Sequence, residues 1–224
     1  MEIKQRAAHD PVADLYIVDA YMLWALMAAE EVVGKNGLTV ILRQAGLDAL
    51  IGNFPPNQLK ITRMLTFGDY TGLSTGLLDF FGRAGKSMTL RIGRQTARYA
   101  VEYQGALFGT AALLASKVLP VATQIKMGLN ATQLGFRKLS QSVGQDQRLR
   151  VEDRGGHFAY VAEDCPSCAG KHADAPICMI QTGGLHEALG WQIGKEFEIE
   201  EVECRAMGAP ACVWLINKTP RSAA

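Results

Sequence analysis

Close to Gly144 the chain changes its hydrophobic period, and this switch limits what it can fold into. Upstream, apolar residues recur at steps of three and four, which gathers them on one face of a helix. The spacing predicts four or five helices, carried by DAYMLWALMAAEEVVG, LTVILRQAGLDAL, GDYTGLSTGLLDFFG, SMTLRIGRQTARYAVEYQGALFGTAALLAS and VLPVATQIKMGLNATQLGFRKLSQS. Glycines 34, 37, 46, 82 and 85 punctuate them as caps and turns, Asp69 is placed to cap the third, and Pro120 to start or kink the last. FPPNQLK, from Phe54, reads as a loop.

Downstream the period is two. QRLRVED and HFAYVAED, joined by Gly155-Gly156, predict a hairpin, and KEFEIEEVEC and ACVWLINK two more strands joined by RAMGAP. Between the pairs lie a polar loop, CPSCAGKHADAP, and a helix in ICMIQTGGLHEALGWQIG that Gly194 ends. The expected fold class is α+β: a helical N-terminal half (1–144) packed on an antiparallel β-sheet with an inserted helix (145–224), in one domain spanning 1–224.

Composition excludes more than it identifies. The 23 Lys and Arg balance 22 Asp and Glu, no basic run occurs, and Arg91, Arg94 and Arg98 fall at helical spacing, so direct nucleic-acid binding is not expected. Neither AYMLWALMAA nor the uncharged stretch from Tyr103 to Ser116 reaches the ~20 apolar residues of a membrane span. With no apolar run behind the first charges, the expected location is cytoplasmic. GRAGKS, from Gly82, ends like a phosphate-binding loop, but Phe80 stands where the motif needs its first glycine and the preceding segment is helical. No nucleophile elbow, paired catalytic carboxylates or His-Glu zinc motif is present, so no catalytic residue is assigned.

The five cysteines, Cys165, Cys168, Cys178, Cys204 and Cys212, all lie downstream of the switch, which in a reducing compartment favours metal binding or catalysis over disulfides. Strand alternation turns Phe197 and Ile199 inward, sends Glu196, Glu198 and Glu200 to water, and turns Glu201 inward as well. An inward carboxylate needs a cation. Arg205 is one candidate; a metal accounts for the adjacent Cys204 and Cys212 too, with Zn²⁺ the expected ion and Cys178, Cys165 or Cys168 as the fourth ligand. CPSC is half a metal knuckle or a redox pair; the loop that follows it, with a proline and no helix start, argues against redox chemistry. His172 could join the pair, while His9, His157 and His186 are isolated. Trp191, Trp214, Phe158, Tyr160, Tyr99 and Phe108 are candidates to line an apolar pocket or fill the core.

CMIQTGGLHEALGW and EVECRAMGAPACVWLINKTP together resemble the C-terminal part of the 4-vinyl reductase domain family, and are similar to the sensory domains of bacterial regulators that respond to phenols and other aromatics. The spacing carrying the likeness is Glu, two residues, Cys, seven residues, Cys, with a further Cys 23 positions before the Glu. The resemblance implies zinc held by Cys178, Glu201, Cys204 and Cys212, and a homodimeric fold related to subunits of the Golgi transport particle. CPSC departs from the sensors, and no attached ATPase or DNA-binding region is seen. Four filled positions make such a metal structural rather than catalytic. The implied function is a zinc-stabilised sensor or carrier for a small hydrophobic or aromatic molecule. The alternatives are an enzyme or accessory in reducing a tetrapyrrole vinyl group, for which no dinucleotide or flavin motif is visible, and a dimeric interaction module.

Overall fold

The periodic segments upstream of Gly144 form the helices of a computed structural model that describes residues 2–221; Met1 and residues 222–224 of the expected single domain lie outside the described residues. Helix α1 (Asp19–Gln44) joins the first two expected helices, because Gly34, at φ 71° and ψ 165°, interrupts the hydrogen-bond ladder for one residue without ending it. Helix α2 (Phe67–Phe81) is capped by Thr66 rather than Asp69. Asp69 sits three residues inside and accepts the Thr66 N–H at 2.7 Å, while its own N–H donates to the Thr66 hydroxyl. The fourth expected helix is two: α3 (Gly85–Gln104) stops at Gly105, and α4 (Thr110–Ala115) begins after Gly109, which is left-handed at φ 65°. Helix α5 (Val121–Ser142) starts behind Pro120.

Strands β2 (Leu149–Arg154) and β3 (His157–Ala162) form the expected hairpin, and β5 (Phe197–Glu203) and β6 (Cys212–Pro220) complete an antiparallel sheet in the order β2-β3-β6-β5. Helix α6 (Met179–Ile193) is inserted between β3 and β5 and ends at left-handed Gly194. The fold is α+β. Two short strands carry no sequence signal: β1 (Ile3–Gln5) pairs antiparallel with β4 (Lys171–Ala173), which belongs to the segment expected to be a loop.

One apolar core fills the space between α1, α2 and α3, around Met22, Leu26, Ile41 and Leu73; a second lies between sheet and α6, around Phe158, Leu185, Leu189 and Trp214. Each large side chain so buried contributes roughly 1.5–3 kcal/mol. Helices α3 and α6 join the two halves by a close crossing. An added Cβ at Gly93 would lie 2.1 Å from the Ile180 carbonyl oxygen, and one at Gly183 would lie 2.1 Å from that of Leu90. Along the same seam Arg94 bonds Glu196 at 2.8 Å and Arg98 bonds Glu187 at 2.7 Å, so two arginines of the expected solvated face instead tie α3 to α6 and its following turn.

The entry to α1 is fixed by Asp19. Its fully buried carboxylate accepts from the Thr62 and Arg63 N–H groups at 3.2 Å, the Gln58 amide at 3.0 Å and the Thr62 hydroxyl. Burial raises its pKa, but the bonds from Thr62, Gln58 and Arg63 outweigh burial and hold it below its ordinary 3.8. A depressed carboxylate pKa stabilises the fold above the unfolded value, and that stability is lost as pH falls through the folded one. Asp19→Asn is therefore expected to cost about 2 kcal/mol at pH 7. In urea titrations at several pH values the gap between the two proteins should close below about pH 4; a gap independent of pH would refute this role for the carboxylate.

Candidate metal centre

At the junction of sheet, α6 and the CPSC loop, six donors converge. Their ligand atoms form two overlapping quartets, Cys178, Glu201, Cys204, Cys212 and Cys165, Cys168, Cys178, Cys212, each with all atoms within 4.8 Å of one another. All six residues are buried and all five thiols are free of disulfides. The sulfur of Cys178 lies 3.6 Å from Cys165, 3.7 Å from Cys204 and 3.7 Å from Cys212, and Cys168 lies 3.4 Å from Cys212. The sequence-expected quartet is thus brought together, and the CPSC pair stands beside it. His172, on β4, is exposed and takes no part.

Local structure explains each position. Cys212 opens β6 opposite Ala162, and Cys178 occupies the residue before α6. On β5, alternation carries Phe197, Ile199 and Glu201 inward, with Glu201 6% exposed, but would send Cys204 outward. A β-bulge reverses the parity: Glu201 faces Trp214 and Glu203 faces Val213, so Val202 is the extra residue. Val202 and Glu203 are exposed and Cys204 turns in. The Arg205 N–H then points at the Cys212 sulfur at 3.3 Å.

The CPSC segment is buried rather than a solvated loop. Thr71 of α2 donates to the Pro166 carbonyl at 2.6 Å, the Gln147 amide to the Asp164 carbonyl at 3.0 Å, and the Arg6 N–H to the Gly170 carbonyl at 2.8 Å. Asp10, absent from the sequence-expected site, joins both sides of the centre. It accepts the Gly170 N–H at 2.9 Å and the Arg205 guanidinium at 2.8 Å. Arg205 therefore answers Asp10, not Glu201. A polar residue directly before a proline in an N-terminal segment gives no sign of such a role.

Glu201 is left without a side-chain cation. One oxygen accepts the Cys178 N–H at 3.1 Å, at the positive end of α6; the other, Oε1, is buried with no hydrogen-bond partner. Burial, with the negative charge near Cys204, pushes its pKa up to about 9. Burial likewise raises the Cys178 and Cys212 thiols, while sulfhydryl donors around Cys165 hold that thiol low. Thiols at tetrahedral-edge separations with an orphaned carboxylate oxygen suit a thiophilic divalent ion: zinc-sulfur bonds of about 2.3 Å set tetrahedral edges near 3.8 Å.

Two clefts flank α6. One, about 740 Å³ with its mouth, runs between α3, α5 and α6 and is bordered by Ala97, Ala100, Phe108, Leu185, Ala188 and Trp191. The other, about 570 Å³, reaches Cys165 and is bordered by Ile17, Phe67, Leu139 and Tyr160. Tyr21, Phe136 and Gln181 belong to both and form the partition. Of the other aromatic candidates, Phe158 fills the sheet core, Trp214 is buried with its indole bonded to Thr182 at 2.9 Å, and Tyr99 bonds Glu31.

Fold and centre together define an α+β module with apolar clefts set against a buried thiolate-carboxylate cluster. Residues 158–218, which contain all six donors, match the model of the 4-vinyl reductase domain; this part of the chain belongs to that family. No curated protein matches the chain. Among solved structures, the fold is similar to the Fe(II) unliganded H-NOX protein from K. algicida (TM-score 0.59, 11% identity, 92% of this chain and 98% of that one). It is also similar to an oxygen-binding H-NOX domain related to soluble guanylate cyclases (0.52, 13%, 91% and 96%) and to an H-NOX protein from S. oneidensis in its Fe(II)NO state (0.52, 9%, 90% and 100%). These likenesses concern the fold. Among the described residues no histidine borders either cleft, so the lining does not suit a haem held by histidine. No helix of the described residues is long and apolar enough to cross a membrane.

Proposed function

We propose that the chain is a small-molecule sensor or carrier module in which the cleft between α3, α5 and α6 takes an apolar or aromatic ligand and zinc holds the wall of that cleft in place. The observation that carries this reading is that α6 serves both: Leu185 and Ala188 border the cleft, and Cys178, immediately before the helix, belongs to the donor cluster. The ligands assigned to zinc are Cys178, Glu201, Cys204 and Cys212. With four protein ligands the ion has no open position, so its work is structural. Zinc binding then acts as folding energy. The cleft is apolar with a few polar groups, Thr132, Gln181 and Gln192, that can orient a phenol-sized ligand. Similar solved structures include one that binds oxygen and one in an Fe(II)NO state. Here the same fold would be put to a different ligand, in keeping with the resemblance to phenol sensors.

Native mass spectrometry of the purified chain, followed by titration with a panel of phenols and bicyclic aromatics, tests this. Ala100→Trp, which fills the cleft from a half-buried position, should weaken binding at least about 10-fold, the equivalent of ~1.4 kcal/mol, while zinc content and Tm stay unchanged. Undiminished affinity would remove the cleft from the proposal. A homodimer belongs to the same proposal, with Leu114, Val118 and Leu119, exposed around α4 and the turn into α5, as its apolar contact; light scattering of a Val118→Lys variant against wild type tests it.

A further inference from the structure

We infer that the centre holds two divalent metal ions rather than one, bridged by the thiolates of Cys178 and Cys212. The inference rests on the zinc reading above and extends it to Cys165 and Cys168. Two quartets, each compact enough for one tetrahedral ion, share two sulfurs. The shared pair is itself 3.7 Å apart, Cys165 touches one member at 3.6 Å, and Cys168 touches the other at 3.4 Å. That is the connectivity of a four-membered ring of two metals and two sulfurs. Cys165 and Cys168 close one tetrahedron, Glu201 and Cys204 the other, and every donor in the cluster is used once or, for the bridges, twice.

Charge points the same way. One divalent ion among five thiolates and a carboxylate would leave a formal charge of −4 in a buried site; two leave −2. The remainder faces the buried Arg205 side chain and the Cys178 and Arg205 N–H groups. A single-ion site would leave Cys165 and Cys168, neither more than 1% exposed, as spare thiols packed against metal-bound sulfur. Soft thiolate donors select zinc or its thiophilic neighbours, and sulfur contacts this short leave no room for inorganic sulfide between them.

Metal analysis of the chain purified under reducing conditions, followed by Co²⁺ titration of the metal-free protein, decides the matter. We expect two ions per chain, falling to one in the Cys165→Ser/Cys168→Ser double variant. The Co²⁺ EPR signal should rise to one equivalent and fall towards the second, because bridging thiolates couple the two spins. One ion in wild type, retained in the double variant, would overturn the second ion and leave the zinc reading standing. No metal at all would sink both. Two ions with additive EPR signals would overturn the bridge, and that readout needs no variant to fold.

Discussion

Cys178→Ala is expected to strip the chain of bound metal and to unfold its C-terminal part. Cys178 contacts three other sulfurs of the cluster and belongs to both quartets, so its loss leaves neither quartet complete. Structural zinc binds zinc-finger peptides with apparent free energies of roughly 10–16 kcal/mol, while whole domains are stable by only about 5–15 kcal/mol. Metal loss therefore suffices to unfold the sheet side. Part of the cost comes without metal: Glu201 and four thiols would remain buried around a cavity. Cys204→Ala, confined to one quartet, should do less and keep part of the metal. Metal content and Tm read side by side give the answer, and a Cys178→Ala protein with wild-type values of both would end the metal hypothesis.

The second large effect is expected far from any thiol. Gly93→Ala or Gly183→Ala places a methyl group 2.1 Å from a carbonyl oxygen of the opposing helix, where backbone must move. Overpacking of this kind costs about 3 kcal/mol, which for a chain this long lowers Tm by roughly 6–12 °C. Gly184→Ala is the internal control: its methyl would meet its nearest neighbour, the Gly93 oxygen, at 3.9 Å, so removing a helical glycine should be neutral or stabilise by about 0.5 kcal/mol. Adjacent glycines on one helix thus have opposite expected signs. Equal effects from Gly183→Ala and Gly184→Ala in urea unfolding would mean that the crossing is looser than its geometry.

What could be read from the chain and what could not follow one physical line. Local periodicity located the helices, both pairs of strands of the main sheet and the inward carboxylate, because each depends on neighbours within a few residues. It failed where distant chain decides. Gly34 looks like a helix end, yet α1 resumes beyond it because the core beneath receives Leu38, Ile41 and Leu42 on the far side. CPSC looks solvated because its polar neighbours are; its burial depends on β1 and Asp10, some 160 residues away. Simple alternation would have turned Cys204 outward, and only pairing with β6 reveals the bulge at Val202 that brings it in.

The Asp10–Arg205 ion pair sets an order of events during synthesis. Its partners are 195 positions apart, and one of them directly follows Cys204. Asp10 leaves the ribosome early and must wait, a charged group beside an unfinished core, until nearly the whole chain has been made. Contacts of such long range form late, since loop closure must precede their reward. The cluster is therefore open to solvent, oxidants and competing ions for as long as its seal is missing. For this chain, metal acquisition and the closing of its two ends are one step.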